Sequence, residues 1–136
     1  MVDVVRPSAA SVLALLGGFA GCTESPAAPS FAYVHAAIIA PNCATAGCHS
    51  TLTAQSGIDL STVDAAYTFL RGKPCEGPDL PGAPAGLYVV PFDPVESPLM
   101  YLLRGDNAPQ MPPDLPLPSV HVQAVESWIA NGAVCD

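Results

Sequence analysis

The chain has 136 residues, which is enough for one domain with a modest core. It carries 12 Asp and Glu against 4 Lys and Arg, a formal net charge of −8, and this balance excludes nucleic acid as a partner. An acidic surface suits solubility and docking on a basic protein.

Residues 1–21 are predicted to be a signal peptide and not part of the fold. Arg6 is their one basic residue, and the apolar run 12–20 is too short to span a bilayer. The run leads into Phe19-Ala20-Gly21-Cys22, which resembles the lipobox of bacterial lipoproteins. We therefore expect lipidation at Cys22 and an exported protein anchored to the cell envelope, periplasm-facing or on the outer membrane. The alternative is an ordinary cleaved signal with an incidental cysteine.

Residues 22–30 predict a flexible tether, so the folded domain covers 31–136. Ser30 can cap a first helix, which Pro41 ends or kinks just before Cys43. The apolar stripe of that helix has the spacing i, i+3, i+4 and i+7 and consists of Phe31, Val34, His35 and Ile38.

Two cysteines and an adjacent histidine follow this helix: Cys43, Cys48 and His49. Two thiols can form thioether bonds to the vinyl groups of a haem, and the adjacent imidazole then reaches the iron. The common motif has two residues between the cysteines, whereas this chain has four. Gly47 is expected to give the backbone the freedom to bulge between them.

Three further helices are predicted, and together with the first they make the fold class all-α. They run from Ser61, with Asp64 as a weak capping box, to Gly72; from Ser97-Pro98 to Gly105; and from Ser119 to Gly132 as C-cap, with Val122, Val125, Trp128 and Ile129 on one face. Twelve of the sixteen prolines lie between 74 and 118, which predicts a long rigid loop with only 87–90 extended.

A haem iron needs a sixth ligand, and Met111 is the best candidate because two prolines after it stiffen the backbone. Met100 lies on a helix stripe and is predicted to be core. His35 and His121 are alternative ligands, although a histidine on an apolar helix face is more often a packing residue. Zinc held by Cys43, Cys48, His49 and a further cysteine is conceivable, but zinc ligands usually come in two pairs. A copper site would normally need a strand-rich scaffold.

All five cysteines are accounted for if Cys22 carries lipid and Cys43 and Cys48 carry haem. Cys75 and Cys135 then remain and can form a disulfide. The alternative keeps all four mature cysteines as two disulfides, with three connectivities.

The succession of these features resembles the single-haem, class I cytochrome c-like domains of exported bacterial proteins, over about Phe31 to Val134. The features are the haem motif after an N-terminal helix, Gly57 to Tyr67, Val90-Pro91, Ser97-Pro98-Leu99, Met111-Pro112-Pro113 and Trp128 to Ala133. The four-residue cysteine spacing departs from the usual pattern, although it is known among c-type cytochromes, especially multihaem ones.

The resemblance implies a small helical domain wrapped around one covalent haem c, with the first and last helices packed together. Cys43 and Cys48 would hold the haem, with His49 as proximal and Met111 as distal ligand. We expect a one-electron carrier, not an enzyme, with a redox protein that has a basic docking face as partner and no small-molecule substrate. The alternatives are a haemless, disulfide-bonded binding or structural module and a peroxidase-like enzyme, against which a ligating Met111 would argue.

Overall fold

The computed structural model describes residues 27–77 and 88–136. In these ranges the chain forms helices and no strand, in agreement with the predicted all-α class. The signal segment 1–21, the lipidation site Cys22 and the proline-rich stretch 78–87 lie outside the described residues. The helices are α1, formed by three consecutive pieces, Phe31–Val34, His35–Ile39 and Ala40–Asn42, then α2 (Val63–Arg71), α3 (Pro98–Arg104) and α4 (Ser119–Ala130), with a 3-10 turn at Gln55–Gly57.

Helix α1 changes its winding where Pro41 enters it. The amide of Ala40 donates to the carbonyl of His35, five residues back, so this turn is π-helical. A prolyl ring has no N–H and clashes with the carbonyl four residues before it, and a wider turn makes room for it. α1 then ends at Asn42, one residue after Pro41 and directly before Cys43, as predicted.

Side-chain caps start α1 and α2, and one of them differs from the prediction. The Ser30 hydroxyl accepts a first-turn amide of α1 at 3.1 Å, as predicted. At α2 the cap is Thr62, whose hydroxyl accepts the Ala65 amide at 3.2 Å. Ser61 instead accepts the amide and hydroxyl of Thr51, at 2.8 and 2.9 Å. The prediction of Ser61 as the cap is wrong because a tertiary contact engages its side chain.

Glycines end α2 and α3 where the sequence predicts. Gly72 and Gly105 are left-handed, with φ of 71° and 72°. The cap of α4 is Asn131, and Gly132 follows it with φ of 100°, so the predicted cap lies one residue too late.

The core forms where α1, α2 and α4 meet. The ring of Phe31 lies 4.9 Å from that of Trp128 and 5.0 Å from that of Tyr67, and all three side chains are buried. The Tyr67 hydroxyl satisfies its hydrogen-bonding capacity by donating to the Ala133 carbonyl at 3.0 Å. The first and last helices therefore pack against each other, as expected.

The C-terminal tail is held against the bundle by several contacts. The Asp136 carboxylate accepts the Phe31 amide at 2.8 Å, and the Trp128 indole N–H donates to the tail at 2.8 Å. Cys135 forms a disulfide with Cys75, with 5.3 Å between the Cα atoms, which is the pairing expected from the cysteine count. The tail thus fixes the start of α1 as well as the end of α4.

Candidate functional site

The cysteine–histidine loop, residues 43–49, leaves the end of α1 and folds back on itself. The Cys43 amide donates to the Ile39 carbonyl at 2.7 Å, and the His49 amide donates to the Cys43 carbonyl at 3.0 Å. Between them, the Cys48 amide bonds the Thr45 carbonyl at 2.9 Å. An ordinary turn therefore accommodates the two additional residues between the thiols.

Gly47 does not provide the freedom for this turn, contrary to the prediction. Its φ lies outside the left-handed region, and a Cβ built on it meets no atom within 4 Å. The positive φ angles nearby belong to Ala54 and Ser56, at 41° and 59°. Backbone hydrogen bonds shape the cysteine–histidine loop, and alanine would fit at position 47.

Both thiols of the cysteine–histidine loop are free and half-buried. Burial raises the pKa of the Cys43 thiol to about 11, and the neighbouring Cys48 adds to the rise. Cys43 is therefore protonated at neutral pH. A protonated thiol is stable towards oxidation and retains the S–H that adds across a vinyl group when a thioether forms.

The imidazole of His49 is oriented by one hydrogen bond. Its Nδ1 lies 3.2 Å from the Gln55 carbonyl, and because a carbonyl can only accept, Nδ1 carries the proton. In the neutral imidazole, Nε2 is then the nitrogen with a free lone pair, and the described residues offer it no hydrogen-bond partner. The Gln55 amide in turn donates to the Cys48 carbonyl at 3.0 Å, which ties the acceptor to the same loop. A ligating histidine typically donates its second ring nitrogen in this way.

Met111 lies far from the cysteine–histidine loop in sequence but lines the same pocket as His49. Its amide donates to the Leu102 carbonyl on α3 at 2.8 Å, which anchors the segment that carries it. Its side chain is 36% exposed, whereas Met100 is 1% exposed and packs in the core. Met100 is therefore a core residue, as the helix pattern predicts, and Met111 is not.

The four side chains predicted to bind the haem or its iron line one pocket. It has a volume of about 410 Å³, and among the residues that line it are Cys43, Cys48, His49, Met111, Pro112 and Pro113. Cys43 also borders a second, smaller cavity of about 40 Å³, whose walls are entirely apolar. All four helices contribute to these walls, through residues that include Val34, Ile38, Leu70, Leu103, Val125 and Trp128. Two thiols, an imidazole and a thioether therefore line one pocket, and a separate apolar cavity adjoins it at Cys43. This donor set fits covalent attachment of a haem and ligation of its iron.

The two alternative histidines lie elsewhere. His35 is 7% exposed, and its Nε2 is engaged with the Leu60 carbonyl at 3.0 Å. His121 is on α4, and its buried Nδ1 has no hydrogen-bond partner among the described residues. Neither histidine is among the described residues that line the pocket.

A zinc site would need a further thiolate beside Cys43, Cys48 and His49. Cys75 and Cys135 are joined in a disulfide and cannot supply one. Across residues 27–77 and 88–136, no three His, Cys, Asp or Glu side chains stand close enough together to hold a metal ion.

Among the described residues that line the pocket, one carries a carboxylate. Asp114 lines the pocket beside the two prolines. The pKa of Asp59 is lowered by hydrogen bonds from Ser61, chiefly its hydroxyl, so this half-buried carboxylate is charged at neutral pH. Arg104 is engaged with Glu126 at 2.8 Å on the outer sides of α3 and α4.

Sequence reasoning missed Gln55 and Leu60 as supports of the site. Gln55 acts through its main-chain carbonyl and Leu60 through both its amide and its carbonyl. Main-chain groups are the same in every residue, so no residue-type signal could have found them. Only the turn at Gln55–Gly57 brings the first carbonyl beneath the imidazole.

Comparison with protein-family profiles, curated proteins and solved structures gives no significant match to this chain. In the described part of the chain, no helix combines the length and apolarity that crossing a membrane requires.

Proposed function

We propose that this protein is a c-type cytochrome that carries one electron at a time at the cell envelope. In this proposal Cys43 and Cys48 hold one haem c through thioether bonds, His49 is the proximal ligand and Met111 the distal ligand. The bound haem would supply a ferric–ferrous couple, and His49 and Met111 would both hold its iron.

The observation that carries the proposal is the orientation of His49 within a pocket that it shares with both thiols and Met111. The Nδ1–H bond to the Gln55 carbonyl leaves Nε2 as the available ligand atom. Four donor side chains of the required kinds, from two segments of the chain, meet there. A thioether ligand and a water-poor, apolar surrounding both favour the ferrous state and raise the potential.

The remaining residues would bind the haem and limit access to it. The apolar walls next to Cys43 offer hydrophobic contact, and Pro112 and Pro113 restrict the backbone after Met111. A ligating Met111 would occupy the position that a peroxide needs, so we propose electron transfer and no substrate chemistry. The acidic composition suits a redox partner with a basic docking face.

The proposal includes export and a lipid anchor at Cys22, which would keep the protein at the envelope with its partner. An acyl chain contributes about 0.8 kcal/mol per buried methylene, so more than one chain is needed for stable anchoring. Mass spectrometry of the mature protein, isolated from membranes, tests the anchor by the mass and the N-terminus. A mature N-terminus other than Cys22, or a mass without attached lipid, would contradict the anchor.

The first test is a pyridine haemochrome spectrum of protein produced together with haem-attachment machinery and then denatured. Haem that remains with the denatured chain and gives a c-type spectrum supports covalent attachment. A band displaced from the two-thioether position indicates that only one cysteine is joined. A colourless protein without free thiols would overturn the proposal in favour of a haemless, disulfide-bonded module.

Met111→Leu tests the distal ligand, and Met100→Leu is the matched control because it makes the same change in the core. We expect Met111→Leu to alter the ferric visible spectrum and to lower the midpoint potential, since a thioether ligand raises it. Met100→Leu should leave both unchanged. Identical ferric spectra for Met111→Leu and the parent would show that Met111 is not a ligand.

A further inference from the structure

His35 lies in α1 and contacts the segment that follows the cysteine–histidine loop. It begins the π-helical turn of α1 and is 7% exposed. Its Nε2 lies 3.0 Å from the Leu60 carbonyl, across 25 residues of sequence. A carbonyl can only accept a hydrogen bond, so His35 is the donor and Nε2 carries the proton.

Leu60 connects His35 to His49, the proposed proximal ligand, through its main-chain groups. Its amide donates to the His49 carbonyl at 2.8 Å, so one residue bonds His35 on one side and His49 on the other. Leu60 is itself buried and lines the apolar cavity next to Cys43. The backbone of His49 is thereby connected to two points of the same helix, to its end through Cys43 and to its middle through His35.

We infer that His35 is a positioning residue for His49, an inference that rests on the proposed haem function. The side chain of His35 holds Leu60 in place, and Leu60 holds the His49 carbonyl. Without the donor, the buried Leu60 carbonyl would be unsatisfied, and the segment would move to reach water. That movement would carry the His49 backbone with it and loosen the direction of Nε2.

Three variants separate positioning from general stability. His35→Leu removes the donor, whereas His35→Gln keeps an amide N–H near the place of Nε2 and should restore the contact. Tyr67→Phe is the matched control, because it also removes one buried donor to a main-chain carbonyl, at Ala133 in the tail. Urea unfolding of each variant first establishes that it folds.

The first readout is amide hydrogen exchange of the haem-free chain, followed by NMR. In His35→Leu we expect the Leu60 and His49 amides to exchange roughly tenfold faster relative to amides of α4. His35→Gln should return them to within about twofold of the parent. Uniformly faster exchange across the core, as expected for Tyr67→Phe, would mean that His35 is merely structural and would overturn the inference.

The second readout is the midpoint potential of the haem-loaded protein. It should shift in His35→Leu, return in His35→Gln and stay unchanged in Tyr67→Phe. Equal potentials in all four proteins would overturn the positioning role while leaving the haem function intact. If the parent chain takes up no covalent haem, the proposed function fails instead, and the exchange data alone report whether His35 holds the loop.

Discussion

Removing the Cys75–Cys135 disulfide with the double substitution Cys75→Ser and Cys135→Ser should lower the free energy of unfolding by roughly 4 kcal/mol. The bond joins residues 60 positions apart. In the loop-closure account, a crosslink of this length reduces the entropy of the unfolded chain by about 14 cal/mol/K, which is about 4 kcal/mol at 25 °C. The folded state loses little, because hydrogen bonds from Phe31 and Trp128 still hold the tail.

The assay is urea unfolding of the haem-free chain, followed by the fluorescence of Trp128, the one tryptophan, which is 1% exposed in the fold. The urea dependence should also steepen, because an unfolded chain without the crosslink exposes more surface. Cys48→Ser is the control, since it changes a free, half-buried thiol, and we expect an effect within about 0.5 kcal/mol. A loss below about 1 kcal/mol with an unchanged slope would refute the entropic reasoning.

Three further predictions concern the cap of α2 and the Cys43 thiol. Thr62→Ala should destabilise the protein by about 1 kcal/mol in urea unfolding, whereas Thr62→Ser keeps the cap, and equal losses in both would show that the hydroxyl does not cap α2. The pKa of Cys43 is raised from 9.0 to about 11 by burial, so the folded protein favours the protonated thiol. The haem-free chain should therefore lose stability as the pH rises from 9 towards 11, and iodoacetamide should modify Cys43 about 100-fold more slowly at pH 8 than in urea. Mass-spectrometric mapping of both cysteines measures the rates, and equal rates for Cys43 in the folded and unfolded chain would contradict the expected burial.

The helices were largely predictable because their ends depend on nearby residues. α3 runs from Pro98 to the residue before Gly105, as the local signals predict. The start of α2 was mispredicted by one residue because Thr51, in the loop before it, competes for the Ser61 hydroxyl. Pro41 was expected to end or kink α1, and α1 does end one residue after it, at Asn42. Only the π-helical winding of the preceding turn was not predicted. Such outcomes depend on packing that a local pattern does not contain.

The sequence alone identifies the candidate side chains that could bind a cofactor or its metal. Two cysteines beside a histidine, and a methionine before two prolines, limit the chemistry to few cofactors before any coordinates are known. The burial of Met100 also follows from the sequence, because helical periodicity decides which side chains of α3 face the core.

The meeting of these donors was decided by the tertiary structure alone. Met111 reaches the pocket of His49 because a main-chain bond to Leu102 anchors it beside α3. The tautomer of His49 depends on the Gln55 carbonyl, and the support of its backbone depends on Leu60. Carbonyls and amides are identical at every position, so their partners are set by where the folded chain brings them and not by residue type.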